Sequence, residues 1–301
     1  MKNILKTIFK KNNLLAFTIS LSLSFISCKK SEEVSPTPNT APTSAQSNEQ
    51  KVQELFNVFV TGNTTGLKHI SDAQYIQHNP YAPDGKTALA SMFSGQPTGI
   101  TVSNHRIFSE GNFVIAHTTY GGTWNSGTPQ VAFDVFRFDN GLIVEHWDNL
   151  QNVTNPITDT TNLNTQTNGT TVISNSNITV NKVLVKNMVD SILIAGKWST
   201  RANYFSNTYI QHSPSVPNGI NWMGMFPDGT PFYSSLKYVY GSGDFVLAMS
   251  EGPEFVNNTP TGNQKAYFDL FRIENGKIAE HWDAVSVIPP TSQWANSNGK
   301  W

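Results

Sequence analysis

A single cysteine, Cys28, is all the thiol this 301-residue chain has. It stands at the end of the leading apolar stretch, so the part that folds beyond it has no disulfide, no cysteine nucleophile and no thiolate-bound metal. Net charge is also scarce: the formal charge is −1, and no basic cluster occurs beyond the first residues. Nucleic acid is therefore a poor partner for it. A long hydrophobic run is missing too. Leu14 to Ile26 is the only sustained apolar stretch, and it is too short and too serine-rich to span a bilayer as a helix.

The first 28 residues read instead as an export signal. Lys2, Lys6, Lys10 and Lys11 make a basic start, and the apolar stretch ends in small residues before Cys28. Phe25-Ile-Ser-Cys28 resembles the lipobox of bacterial lipoproteins, which implies lipid attachment at Cys28 and an extracytoplasmic place in the cell envelope, with the lipid as the only membrane contact. Residues 29–48 are Ser, Pro, Thr, Asn and charge, a flexible tether with little to bury. Residues 154–178, rich in Thr and Asn, read as an interdomain linker in which Val172-Ile173 is the one strand-like pair, and 291–301 as a C-terminal tail.

Between these stretches the chain repeats itself. Phe133-Asp-Val-Phe-Arg-Phe-Asp-Asn-Gly-Leu-Ile-Val-Glu-His-Trp-Asp148 returns as Phe268-Asp-Leu-Phe-Arg-Ile-Glu-Asn-Gly-Lys-Ile-Ala-Glu-His-Trp-Asp283. Tyr75-Ile-Gln-His-Asn-Pro80 returns as Tyr209-Ile-Gln-His-Ser-Pro214, and Gly111-Asn-Phe-Val-Ile-Ala116 as Gly243-Asp-Phe-Val-Leu-Ala248. The spacing of 132 to 135 residues is that of a small domain rather than a solenoid repeat. The sequence thus reads as a tandem duplication, with domains at 49–153 and 179–290.

Within the first copy, Val52, Leu55, Phe56 and Phe59 have helical spacing, with Ser47 or Asn48 as cap and Gly62 as stop. A short helix over 65–69, a brief strand at 75–78 and a helix over 86–93 follow. Strands at about 101–109, 112–119, 130–138 and 142–148 are separated by turns such as Asp139-Asn140-Gly141. The second copy repeats the order from a helix at about 181–195, but 220–231, rich in Gly, Pro and Met, reads as a loop. Helices followed by antiparallel strands give an α+β fold with helices on one face of the sheet.

A short strand with a His before a Pro, then long strands ending in Gly-x-Ile-x-Glu-His-Trp-Asp, resembles the SnoaL-like proteins of the nuclear transport factor 2-like superfamily. The resemblance implies two cone-shaped α+β barrel domains, each with a pocket between helices and curved sheet. It also implies cofactor-free chemistry, since relatives place acid/base residues at positions matching Asp134 and Asp148, and usually dimerise through the outer sheet face.

Strand parity sorts the side chains. Asp134, Phe136 and Phe138 share one face, and Arg137 the other. A three-residue Asp139-Asn140-Gly141 loop would set Asp134 across from His146 and bring Asp134, His146 and Asp148 onto the pocket face. A two-residue loop would set Asp134 beside Trp147. The first register is preferred because it gathers the groups with chemical capability. The candidate catalytic residues are then His78, Asp134, His146 and Asp148, with His212, Asp269, His281 and Asp283 as their counterparts. A carboxyl raised in pKa beside a carbonyl compound suits isomerisation, aldol-type cyclisation or dehydration. Binding of a small apolar molecule without turnover is the competing reading. No metal is expected, the alternative being a His78, His146, Asp148 ligand set.

Two structural expectations follow. Trp222, Met223, Met225 and Phe226 would plug or reshape the second pocket, leaving the first as the better site. The apolar outer faces carrying Trp147 and Trp282 would meet as an intrachain pseudo-dimer, because a linker of about 25 residues reaches roughly 25–30 Å.

Overall fold

The computed structural model describes residues 46–93, 98–154, 164–171, 173–214, 216–256 and 259–301. Residues 1–45, on which the expected export signal, the Cys28 anchor and most of the expected tether fall, lie outside the described residues, as do 155–163 and Val172.

Helix α1 (Asn48–Thr61) starts where Ser47 and Gln50 close a reciprocal capping box, and it ends at Gly62, whose φ of 64° the missing Cβ permits. It buries Val52, Leu55, Phe56 and Phe59 against the sheet. A 3-10 turn (Thr64–His69), strand β1 (Ile76–Gln77) and helix α2 (Lys86–Phe93) follow. Four antiparallel strands complete the first half: β2 (Ile100–Glu110), β3 (Phe113–Gly122), β4 (Gln130–Asp139) and β5 (Leu142–Asn152). The sheet order is β1-β5-β4-β3-β2, with β1 parallel to β5.

The second half has the same order. Helix α3 (Ile178–Met188) runs into a π turn (Val189–Ile194), then a 3-10 turn (Trp198–Asn203), β6 (Phe205–Gln211) and a 3-10 turn (Trp222–Met225). Strands β7 (Ser235–Ser242), β8 (Phe245–Val256), β9 (Thr259–Glu274) and β10 (Lys277–Val287) pair as β6-β10-β9-β8-β7. Each half is α+β, with helices on the inner face of its sheet and its own core.

The hairpin register departs from the expected one. Asp139 pairs with Leu142, so the turn has two residues, Asn140 (φ 49°) and Gly141 (φ 78°), both in the left-handed region that this tight turn requires. A bulge between Arg137 and Phe138 on the pairing ladder then absorbs one extra residue on β5. Asp134 consequently faces Asp148, and Phe136 faces His146. The bulge undoes the one-residue flip of a two-residue turn, so the two carboxylates and the imidazole share a face after all. The second half repeats this, with a bulge between Ile278 and Glu280 and Asp269 opposite Asp283.

The outer sheet faces share a third cluster of buried side chains, including Phe133, Val135 and Trp147 with Leu247, Leu270 and Trp282. Asn149, 1% exposed, reaches across it and donates to the carbonyls of Ala266 (3.0 Å) and Ala284 (2.6 Å).

The segment that leaves each half closes on the other. Asn168, from the segment after the first half, accepts from Trp282 Nε1 (2.8 Å), and its side chain meets His212 Nδ1 (2.8 Å). From the segment after the second half, Gly299 O accepts from His78 Nδ1 (2.8 Å) and Asn298 Nδ2 donates to Gln77 O (3.0 Å). These two straps share the pair Asn-Gly. A Cβ on Gly169 (φ 92°) would lie 2.5 Å from Glu280 Oε2 and 2.7 Å from the His212 ring. Gly169→Ala should therefore cost about 2–4 kcal/mol in urea denaturation, from left-handed strain plus displacement of the strap. Gly111→Ala, with φ of 58° and nothing within 4 Å, should cost only the strain, about 1 kcal/mol.

Candidate functional site

In the first half the site is a string of hydrogen bonds on the inner sheet face. Strand β1 sets Gln77 beside His146 on β5. The Asn79 N–H donates to Gln77 Oε1 (2.9 Å), which leaves that oxygen to accept from His146 Nδ1 (3.0 Å). His146 Nε2 then faces Asp134 Oδ1 at 3.2 Å. With Nδ1 committed as a donor, imidazole and carboxyl must share one proton between Nε2 and Oδ1. Burial pushes the Asp134 carboxyl upward, opposed by its bond to His146. Tyr120 donates its hydroxyl to Asp134 Oδ2 (3.0 Å), and burial pushes that phenol well above its ordinary range. Asp148 accepts from Asn79 Nδ2 (2.8 Å) through Oδ2, while its buried Oδ1 has no hydrogen-bond partner among the described residues.

The second half rebuilds the string. Ser213 N donates to Gln211 Oε1 (2.9 Å), which faces His281 Nδ1 (3.0 Å), and His281 Nε2 meets Asp269 Oδ1 (3.0 Å). Here Tyr233 supplies the hydroxyl to Asp269 Oδ2 (2.9 Å). Asp283 lies at the pocket wall with Oδ1 unpartnered among the described residues. Burial pushes its carboxyl up to about 6, against the pull of His281.

His78 and His212 stand elsewhere. Each points to the outer face, where His78 stacks on Trp147 (4.6 Å) and meets Glu145 Oε1 (2.9 Å). His212 stacks on Trp282 (4.5 Å) and meets Glu280 Oε2 (3.1 Å). Burial alone would raise the Glu280 carboxyl, but hydrogen bonds from His212, Thr170 and Arg272 bring it down to about 2. These histidines therefore anchor the straps, and a ligand set of His78, His146 and Asp148 is not assembled. The sets Asp134, His146, Asp148 and Asp269, His281, Asp283 each bring ligand-type atoms within 4.8 Å of one another. A cation there would have to break the imidazole–carboxyl bond.

Sequence reasoning missed the glutamines and tyrosines. Gln77 and Gln211 were visible as members of a repeated block, one residue before the histidine that was preferred. The tyrosines carried no repeat signal. By the repeated Gly111 and Gly243 blocks, Tyr120 on β3 corresponds to Gly252 on β8. A Cβ there would press on Tyr233 Cα at 3.0 Å, so Tyr233 enters from the preceding loop and brings the same hydroxyl to the same carboxylate.

The inner chambers at the two Asp–His pairs are unequal in the opposite sense to that expected. The second half holds about 480 Å³, walled by aromatics such as Tyr209, Trp222, Phe226 and Tyr267, with Asp269, His281 and Asp283 among the polar lining. The inner chamber of the first half holds only about 60 Å³. Two aromatics fill the space: Phe93 of helix α2 stacks on Phe59 (4.1 Å), and Trp124, on the turn after β3, stacks on Tyr120 (4.8 Å). In the second half, Phe226 packs sideways on Trp198 (5.1 Å) and Phe232 (4.9 Å) and leaves the pocket open. A further cavity of about 520 Å³ lies beyond Asp148 and is bounded partly by Ser286, Ile288 and Lys300.

Among known proteins, residues 52–146 match the family model described as SnoaL-like domain. No curated protein matches the sequence. Solved structures that resemble it include TsrD from Streptomyces laurentii (18% identity, 34% of this chain and 86% of that one, TM-score 0.30). An LEH-like epoxide hydrolase of M. tuberculosis is similar at 18% identity over 34% of this chain and 81% of that one, TM-score 0.31. An NTF-2 like protein of unknown function from Burkholderia xenovorans reaches 20% identity over 36% and 90%, TM-score 0.30. None of these likenesses is close enough to carry an activity to this chain. The inner-face geometry of the first half and the family match together identify residues 52–146 as a SnoaL-like domain.

Proposed function

We propose that the pocket of the second half takes a small, largely apolar carbonyl compound and that Asp283 moves a proton at the carbon beside its carbonyl. The observation that carries this reading is Asp283: a carboxylate on the wall of an aromatic cavity of about 480 Å³, unpartnered at Oδ1 among the described residues, and pushed up to about 6. A base is most effective when its pKa lies near the working pH. The indole N–H of Trp222 in the same wall is also without a partner among the described residues, a donor for the carbonyl oxygen. Asp269, His281 and Tyr233 hold a shared proton beside them. Isomerisation, aldol-type cyclisation and dehydration all begin with this step, and none draws on a cofactor.

The test uses ketone probes. Cyclohexanone and related ketones are first screened for binding by thermal shift, and α-proton exchange into D2O is then followed by NMR. Wild type should accelerate exchange, and Asp283→Asn should lose about 100-fold or more of that acceleration. Binding with no difference in exchange would replace this reading with a non-catalytic binding module.

The chain is further proposed to arise by tandem duplication and to act in the cell envelope as one polypeptide carrying both domains, lipidated at Cys28. The basic start, the apolar stretch and Phe25-Ile-Ser-Cys28 support the anchor. The mutual cover of the outer sheet faces supports a pseudo-dimer within one chain. Incorporation of labelled palmitate that survives Cys28→Ser would overturn the anchor. Dimeric elution of the soluble part would overturn the self-contained pair.

A further inference from the structure

Lys300 is a buried amine with one hydrogen bond. It is 6% exposed, and Nζ donates to the backbone carbonyl of Asp148 (2.5 Å), 5.6 Å from the Phe268 ring centroid. An ammonium has three N–H donors, and among the described residues the other two find no hydrogen-bond acceptor. The nearest carboxylate oxygen, Asp148 Oδ1, lies at 3.9 Å, and it too is buried and without a hydrogen bond. A closed ion pair would have brought these two together. They instead share the wall of the cavity of about 520 Å³, with Asn79, Trp124, Leu150 and Ile288.

The strap itself does not require an amine here. Asn298-Gly299-Lys300 answers to Asn168-Gly169-Thr170, and Thr170 spends its N–H and hydroxyl on Glu280. Threonine therefore suffices to seat such a segment, and lysine in its place brings a nucleophile to the first half from the far end of the chain. Burial lowers the Lys300 amine below the ordinary lysine range, with Asp148 opposing. A desolvated lysine is the form that condenses with carbonyl compounds.

We propose that Lys300 is a covalent capture site, at which a small aldehyde or ketone held in the cavity over Asp148 forms an imine with the amine. The site is separate from the pocket of the second half and does not rest on the function proposed for it. Asp148 first takes one proton from the ammonium. The free amine adds to the carbonyl carbon, forming the C–N bond. Both remaining nitrogen protons then pass to the carbonyl oxygen, the C–O bond breaks, and water leaves. No electrons are gained or lost.

The full chain is treated with butanal and cyanoborohydride at pH 7, which delivers hydride to the imine carbon and leaves a butyl amine. Adducts are located by peptide mass mapping. One butyl group is expected at Lys300, formed about tenfold or more faster than at exposed Lys68 or Lys186, because a desolvated amine is less protonated at pH 7 than an exposed one. Lys300→Arg should abolish that adduct without altering labelling elsewhere. Labelling spread over the exposed lysines, with Lys300 unmodified in the folded wild type, would overturn the proposal. The decisive measurement is made on the unaltered chain, so a variant that folds poorly does not blunt it.

Discussion

Replacing Trp282 by alanine should cost about 4–5 kcal/mol of stability, the upper end for a buried aromatic. The indole is fully buried where the two sheets meet. It stacks on His212 at 4.5 Å, carries the Arg106 guanidinium at 4.1 Å from the ring, and donates to Asn168 O at 2.8 Å. Truncation leaves a cavity and removes a cation–π partner from an arginine only 3% exposed. It also strips a bond from the strap that Arg106 itself holds through Thr170 O and Asn168 O. Trp147→Ala should cost less, about 3 kcal/mol. Trp147 has the matching stack on His78, but its Nε1 is buried with no partner among the described residues. Removing it therefore also relieves an unsatisfied donor. Urea denaturation of both variants decides this, and equal costs or the reverse order would refute the argument. A domain holds only about 5–15 kcal/mol in total, so the Trp282 variant should be visibly less stable at 37 °C.

Asp283→Asn should act in the opposite direction and stabilise the protein at neutral pH. The folded carboxyl titrates at about 6, against about 3.9 in an unfolded chain. Below pH 4 both states hold the proton and the aspartate carries no penalty. Between pH 4 and 6 the folded state keeps a proton that the unfolded state has lost, so stability falls as pH rises. Above pH 6 the full penalty remains, on the order of 3 kcal/mol. Asparagine cannot ionise, so the variant should match wild type at pH 4 and exceed it at pH 7.5, with Tm higher by roughly 6–12 °C for a protein of this size. A carboxylate with a structural role would give the reverse, a variant weaker at pH 7.5. Stability gained together with lost exchange activity is the pattern of a group kept in an unfavourable state for function.

Much of this molecule is legible in the order of its residues. The spacing of Val52, Leu55, Phe56 and Phe59 and the Ser47 cap specify α1 locally, because helix periodicity and capping act within a few residues. The turn residues bound the strands for the same reason. Alternation along each strand was enough to separate Asp134 from Arg137, and His146 and Asp148 from Glu145 and Trp147.

What the sequence did not disclose depends on contacts between residues far apart. The bulge opposite Arg137 offsets the two-residue turn, so the inner-face grouping arises through a different register from the one preferred. The face taken by His78 was set by the register of β1 on β5, which pairs Gln77 with His146 and so turns Gln77 inward. Tyr233 supplies a hydroxyl that no repeat could reveal, since it arrives from another element to fill the space over Gly252. The open pocket was decided by how Phe93 and Phe226 pack, a matter of shape rather than composition. By itself, then, the sequence determined the helices, the strands and the chemical groups each strand carries, because those follow from local spacing. Only the tertiary structure decided which groups meet, which Asp–His pair opens on a large chamber, and that Lys300 stands beside Asp148, because these depend on register, packing volume and a strap that returns from 152 to 221 residues away.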